Sequence, residues 1–217
     1  FADSGLISDQ ALMDDMFGGD QTIAHGSAGE FVLGLTDGES LTRSQKYFRD
    51  TISSWGRNTT ILGASASAGD DIYAAGVGDS ISGSATAYDT IVAAGNNDSV
   101  FAAYGDVITV SGADAVVKAG TRNDSITASG SNDTLVGNTG NTTFYVNDAS
   151  TVIQAPTGGG NDTIFASVSY VAPANVNVLT LTGPGNLVAT GNAGNDTLTG
   201  GAGNDTLVAG SGIDTLT

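Results

Sequence analysis

An aspartate recurs two residues ahead of an aliphatic side chain at a spacing of about nine residues, and that period decides what the chain can fold into. Asp70 precedes Ile72, Asp79 Ile81, Asp89 Ile91, Asp98 Val100, Asp106 Ile108, Asp114 Val116, Asp124 Ile126 and Asp133 Leu135, with Thr142 before Phe144 continuing the series at intervals of 8 to 10. After an interruption Asp162 precedes Ile164, and Asp196, Asp205 and Asp214 precede Leu198, Leu207 and Leu216 at intervals of 9. Nine residues are too few for a helical hairpin. Asp-Ser/Thr-aliphatic between glycine-bearing turns reads instead as a short strand after a tight bend. One inward aliphatic per unit cannot be buried by that unit alone, so successive units must stack into parallel sheets around a shared core. The expected fold is all-β: a parallel β-roll or β-helix solenoid of nine-residue half-coils, with a small mixed N-terminal cap. Two units per coil give about nine coils from residue 58 onward and a rod of about 40 Å, with Asp196 and Asp214 on one edge and Asp205 on the other.

Composition narrows the function. The 217 residues hold 32 Gly, 21 Asp but only Glu30 and Glu39, and 6 Lys plus Arg, for a net charge of −17. Asp suits turns and short-armed oxygen coordination of hard cations, where Glu suits helix interiors. The charge argues against nucleic acid. The absence of Cys excludes disulfides and thiolate metal sites, and no apolar run reaches the roughly 20 residues of a membrane helix. Residues 1–57 carry −5 and hold four of the six basic side chains; residues 58–217 carry −12. Three segments follow: a capping or docking segment over 1–57, a degenerate nonapeptide solenoid over 58–157, and a more regular solenoid over 158–217. Phe1 with no signal-like stretch after it reads as the start of a processed chain or a fragment.

The most regular units are the last. Gly200-Gly201-Ala202-Gly203-Asn204-Asp205-Thr206-Leu207-Val208 fits G-G-x-G-x-D-x-U-x at every fixed position, and the units ending at Thr199 and Thr217 each miss one glycine. These residues resemble the RTX calcium-binding nonapeptide repeat, and residues 168–183 resemble the spacers that alternate with such repeats in large secreted proteins. The resemblance covers 158–217 and implies Ca²⁺ as cofactor. It implies side-chain oxygens from Asp196, Asp205 and Asp214, carbonyl oxygens mainly from Gly191, Ala193, Gly200, Ala202 and Ser211, and Asp162 as an additional ligand. Asp98, Asp124 and Asp133 are weaker candidates, because their units lose most glycine positions and aspartate also caps bends by accepting backbone N–H bonds. Aligned carboxylates repel, so ion binding and folding are expected to be one event.

Residues 39–56 place Leu41, Phe48, Ile52 and Trp55 near helical spacing before Gly56, which predicts a short helix capping the first coil or a basic-aromatic docking patch. Catalytic signals are sparse. His25 reads as a surface loop residue, a glycosidase pair of Asp14 or Asp15 with Glu30 is an easy coincidence in a chain with 23 acids, and Lys118 with Arg122 are the basic residues a parallel β-helix polysaccharide lyase could use. The resemblance implies export from a Gram-negative cell by a type I channel, with folding in extracellular calcium. The expected function is a non-enzymatic, calcium-stabilised structural or adhesive protein of a surface layer, biofilm matrix or filament. It would be met by calcium ions, by self-association or neighbouring repeats, and by a possible polysaccharide. The alternatives are an accessory or secretion module of a larger hydrolase, or the lyase.

Overall fold

A computed structural model describes residues 22–23, 31–35, 37–43, 49, 51–63, 69–158 and 160–217. Their strands form three parallel sheets and, among the described residues, no helix. The longest sheet has eleven strands: Phe31–Gly34, Thr51–Ser54, Asp71–Ala74, Thr90–Ala93, Val107–Val110, Ser125–Ala128, Thr143–Val146, Thr163–Ala166, Val178–Leu181, Thr197–Thr199 and Thr215–Leu216. Opposite it lie eight strands, Thr22–Ile23, Ser40–Arg43, Thr60–Leu62, Ser80–Ser82, Ser99–Phe101, Val116–Lys118, Thr134–Val136 and Val152–Gln154. Tyr170–Val171, Val188–Thr190 and Thr206–Val208 form a separate three-stranded sheet. The chain alternates between the long sheet and the shorter ones, which is the winding of a β-solenoid. Nine strands of the long sheet follow residue 58, one for each coil the period predicts from that point.

The core is a pair of aliphatic columns. In the long sheet Ile52, Ile72, Ile91, Ile108, Ile126, Phe144, Ile164, Leu179 and Leu198 are paired in register from coil to coil and are buried. Opposite them stand Leu41, Ile61, Ile81, Val100, Val117, Leu135 and Ile153. Each such side chain contributes roughly 1.5–3 kcal/mol by leaving water, and no coil has a partner for it except the coils above and below. Burial alternates along most strands, with Ser and Thr outward at many flanking positions, as the two-residue period of a strand demands.

Two sequence expectations change. At the sixth unit the inward residue is Val117, fully buried, whereas Val116 faces out; the corner position is therefore Ala115, and Asp114 stands one residue early with φ 60°. Asp114 is a left-handed turn residue, not the corner. The helix expected over 39–56 does not form in the described part, because Ser40–Arg43 and Thr51–Ser54 are strands and Leu41 and Ile52 are core-column residues; Phe48 lies outside the described residues. Helical spacing arose from two strands plus a turn. Across the compositional change near 58 the sheets run on, Leu41 pairing with Ile61 and Ile52 with Ile72. Residues 168–183 are a further coil, holding Tyr170–Val171 and Val178–Leu181.

A glycine spine runs along one turn. Gly56, Gly76, Gly95, Gly112 and Gly130 are all buried, and a Cβ on any of the last four would overlap the carbonyl oxygen of the glycine one coil before. Loops can stack at strand spacing there only without side chains.

Candidate metal centre

The aspartates sit where each coil turns into a strand, on two edges. One edge, leading into the long sheet, carries Asp70, Asp89, Asp106, Asp124, Thr142, Asp162, Asn177, Asp196 and Asp214; the other carries Asp79, Asp98, Ala115, Asp133, Thr151 and, further on, Asp205. Along both edges each carboxylate reaches back one coil. Asp70 N–H donates to Asp89 Oδ1 (2.7 Å), Asp89 N–H to Asp106 Oδ1 (2.9 Å), Asp106 N–H to Asp124 Oδ1 (2.8 Å) and Asp196 N–H to Asp214 Oδ1 (2.8 Å). Opposite, Asp79 N–H donates to Asp98 Oδ1 (2.9 Å), Ala115 N–H to Asp133 Oδ1 (2.9 Å) and Leu187 N–H to Asp205 Oδ1 (2.9 Å). Thr142 N–H likewise donates to Asp162 Oδ1 (2.7 Å). Each of these accepting carboxylates thus fastens two coils together, taking the N–H of the corner residue one coil before, while the first N–H of the strand bonds a carbonyl of that coil.

The second oxygens separate the aspartates into two kinds. Asp106 Oδ2 accepts from Ala103 N–H (2.9 Å), Asp124 Oδ2 from Gly120 N–H (2.8 Å), Asp196 Oδ2 from Asn192 N–H (2.7 Å) and Asp205 Oδ2 from Gly201 N–H (2.7 Å). Asp79, Asp98, Asp133 and Asp162 each leave Oδ2 buried with no hydrogen-bond donor. Burial pushes the carboxyls of Asp98 and Asp106 up to about 6, and raises those of Asp79, Asp133 and Asp162. A carboxyl whose folded pKa lies above its unfolded value binds its proton more tightly in the folded state. Its stabilising contribution is complete below the unfolded value near 3.8 and is lost as pH rises through about 6. In chelator the protein should therefore melt higher at pH 5 than at pH 7.5, by on the order of 5 °C; equal melting at the two values would show that these carboxylates carry no buried charge.

Asp196 and Asp214 stand one coil apart on the same edge, beneath stacked loops whose backbones touch. Ser211 N–H donates to Asn192 O (3.0 Å), and Gly194 N–H to Asn192 Oδ1 (2.7 Å). A Cβ on Gly191 would lie 2.6 Å from Asp196 Oδ2, and one on Gly200 3.3 Å from Asp205 Oδ2, so a side chain at either position would fill the space beside the carboxylate. Gly203 and Gly212 take φ of 122° and 133°, a conformation that lets a loop turn its carbonyls off the strand direction. Among the described residues no three Asp, Glu or His side chains cluster, so an ion here takes at most two carboxylates and completes its shell from carbonyl oxygens. An all-oxygen set with two charges suits a hard divalent cation of six to eight ligands. The residues fit calcium.

The structure brings Asp196 and Asp214 together with the loops of Gly191, Ala193 and Ser211. Asp205 stands on the other edge with Gly200 and Ala202, and its neighbour one coil before is Leu187. Asp162 and Asp133 belong to different edges and do not meet their own kind one coil away, where Thr142 and Ala115 stand. Asn177 escaped the sequence reading: it occupies the corner between Asp162 and Asp196, and its Nδ2 donates to Asp196 Oδ1 (3.2 Å). Its position two residues before Leu179 was the available signal. Lys118 Nζ lies 5.3 Å from the Phe101 ring centroid and the Arg122 guanidinium 4.8 Å from that of Tyr104, so both cations rest on aromatic faces. Asp14, Asp15, His25 and Glu30 lie outside the described residues.

Comparison with protein families finds the RTX calcium-binding nonapeptide repeat in four copies, at residues 111–144 and 182–216. The chain carries these repeats, and their ligand is Ca²⁺. The second stretch contains Asp196, Asp205 and Asp214; the first takes in Asp124 and Asp133 and so reaches into the degenerate middle, while Asp98 and Asp162 lie outside both. No curated protein and no solved structure matches the chain.

Proposed function

We propose that this β-solenoid of RTX calcium-binding repeats is an extracellular structural or adhesive element of a bacterial surface layer, matrix or filament, folded by calcium and without catalytic activity of its own. The coarser part, a calcium-binding structural repeat protein, follows from the fold and the repeats. The observation that carries the rest is the same-edge pair Asp196 and Asp214 under glycine-lined, carbonyl-bearing loops. Asp196 and Asp214 with carbonyls of Gly191, Ala193 and Ser211 would hold one ion, and Asp205 with carbonyls of Gly200 and Ala202 would contribute to another. Calcium supplies the positive charge that a −17 chain lacks, and the chain's part is to present oxygens at fixed spacing once adjacent coils have closed.

The reading supports export through a calcium-poor compartment by a Gram-negative type I route, the acidic excess keeping the chain apart from its copies until millimolar calcium is met. Domains 1–57, 58–157 and 158–217 then act as docking segment, solenoid body and calcium-ordered region.

Circular dichroism with calcium titrated against a chelator tests the proposal. The expected result is a cooperative gain of β signal at micromolar to millimolar calcium, confined largely to the 158–217 region in protease mapping. A spectrum already complete in chelator and unmoved by calcium would overturn it.

A further inference from the structure

From residue 58 onward the chain has two basic side chains, Lys118 and Arg122, against fourteen aspartates, and both lie at one corner of one coil. Lys118 ends the strand Val116–Lys118, and Arg122 follows in the loop that leads back to the long sheet, so at most about 14 Å of chain separates them. Both are exposed, and neither forms an ion pair with a described residue, unlike Arg49, which is paired with Asp71. Each rests instead on an aromatic ring of the coil before, Lys118 on Phe101 and Arg122 on Tyr104. One coil further back Tyr88 meets Tyr104 edge to face, with ring centroids 5.4 Å apart. Tyr88 is seated against Gly105, where a Cβ would lie 2.5 Å from its ring.

The cluster is held before any ligand arrives. Thr121 N–H donates to Ala103 O (2.8 Å), Asn138 Nδ2 donates to Arg122 O (2.8 Å), and Lys118 pairs in register with Phe101. Fixing these loops in advance lowers the ordering cost of binding. The local charge is positive although the whole chain is acidic. The loops of this edge at 83–88, 102–105, 119–123 and 137–141 hold no acid, whereas loops of the opposite edge carry Asp114 and Asp148. The corner carboxylates beneath, Asp89, Asp106 and Asp124, are buried and accept hydrogen bonds from the chain, so the charge shown to solvent here is that of Lys118 and Arg122.

We propose that this corner binds an acidic polysaccharide, whose uronate carboxylates meet Lys118 and Arg122 while the apolar faces of its sugar rings lie on Tyr88 and Phe101. The inference rests on the adhesive role proposed above and names its ligand class. The size of the patch selects the occupant. Two cations contribute about 1 kcal/mol each at an anionic lipid surface, where recognition takes clusters of roughly 4 to 8, and a nucleic-acid duplex commonly takes roughly 6 to 10 phosphate contacts. An acidic sugar chain needs less charge and more ring surface. Carboxylate and apolar face recur together in each uronate, as cation and exposed ring do here, and aromatic walls with a few placed polar groups are the ordinary make-up of a small-ligand site.

Calorimetric titration of the full 217-residue chain in millimolar calcium tests this, with hexasaccharides of hyaluronan and of galacturonate as probes and blank titrations removing the heat of calcium on the sugars. At least one of the two is expected to bind with a Kd on the order of 100 μM, weakening several-fold as salt rises from about 50 to about 500 mM. Cellohexaose, of equal length and uncharged, should bind about 10-fold more weakly or worse. Lys118→Gln with Arg122→Gln should lower uronate affinity about 10-fold or more with the calcium-induced spectrum intact, and Arg49→Gln, which removes a cation already paired, should leave it unchanged. Should the double variant fail to fold, Tyr88→Ala decides, with affinity lowered about 5-fold. Binding of neither uronate probe, equal binding of cellohexaose, affinity indifferent to these substitutions, or retention on phosphatidylglycerol vesicles in place of glycan would overturn the proposal. Calcium-coupled folding without uronate binding defeats this inference alone, and uronate binding by a chain whose folding ignores calcium defeats only the functional reading.

Discussion

Gly95→Ala is expected to destabilise the solenoid by on the order of 3–5 kcal/mol, more than any single exposed substitution could. Gly95 is buried at the turn that follows Thr90–Ala93, and a Cβ there would overlap the carbonyl oxygen of Gly76 and stand 3.2 Å from Asp98 Oδ2. Neither neighbour can yield. The Gly76 carbonyl belongs to the backbone of the coil beneath, and Gly76 itself would overlap Gly56 O if it carried a side chain, so relief at one turn propagates along the spine. Asp98 is held by the N–H of Asp79. The loops must therefore part, which stretches the corner hydrogen bond and opens the aliphatic columns. Gly185→Ala is the matched comparison: its Cβ would meet only the end of the Leu187 side chain at 3.8 Å, and the change should fall within about 0.5 kcal/mol. Urea denaturation of both variants in calcium measures the difference. Equal stabilities would mean that the turns are looser than their carbonyl-to-glycine approach indicates.

Asp196→Asn should weaken calcium binding by about 10-fold or more, while leaving the stability in chelator unchanged or slightly higher. The two halves of this expectation come from the two tasks of the residue. As a cap it accepts Asn192 N–H on Oδ2 and Asn177 Nδ2–H on Oδ1, and an asparagine of the same shape can still accept one of these. As a ligand it supplies one of the two negative charges on its edge, the other being Asp214, whose Oδ1 accepts Asp196 N–H. Asparagine supplies none. Removing a charge from stacked carboxylates also relieves repulsion when no ion is present. Calorimetric calcium titration beside chelator melting separates the tasks: a variant that melts lower in chelator yet binds calcium as before would make Asp196 a cap only. By the same logic Asp205→Asn should act on a different ion, because Asp205 lies on the opposite edge with Leu187 as its neighbour one coil before.

Much of this arrangement was legible in the order of residues. The Asp-x-aliphatic period assigned the core columns, because a strand that buries alternate side chains and closes every nine residues has one geometric solution, and the two-edge placement of Asp196, Asp214 and Asp205 came with it. The misreadings share a cause. Asp114 and the stretch 39–56 were judged by residue type and local spacing, whereas their roles are fixed by the coil beneath: Val117 takes the core position in register with Val100, and Leu41 and Ile52 belong to strands on opposite sheets.

What the sequence determined by itself was the winding, its period and the kind of oxygen donor at each bend, since these depend on side-chain chemistry repeated along one chain. Only the tertiary structure decided that Asp114 stands off the corner, which carboxylate oxygens are left without a donor, and where glycine is sterically required. Each of those depends on contacts between residues some 15 to 20 positions apart, brought to strand spacing by stacking.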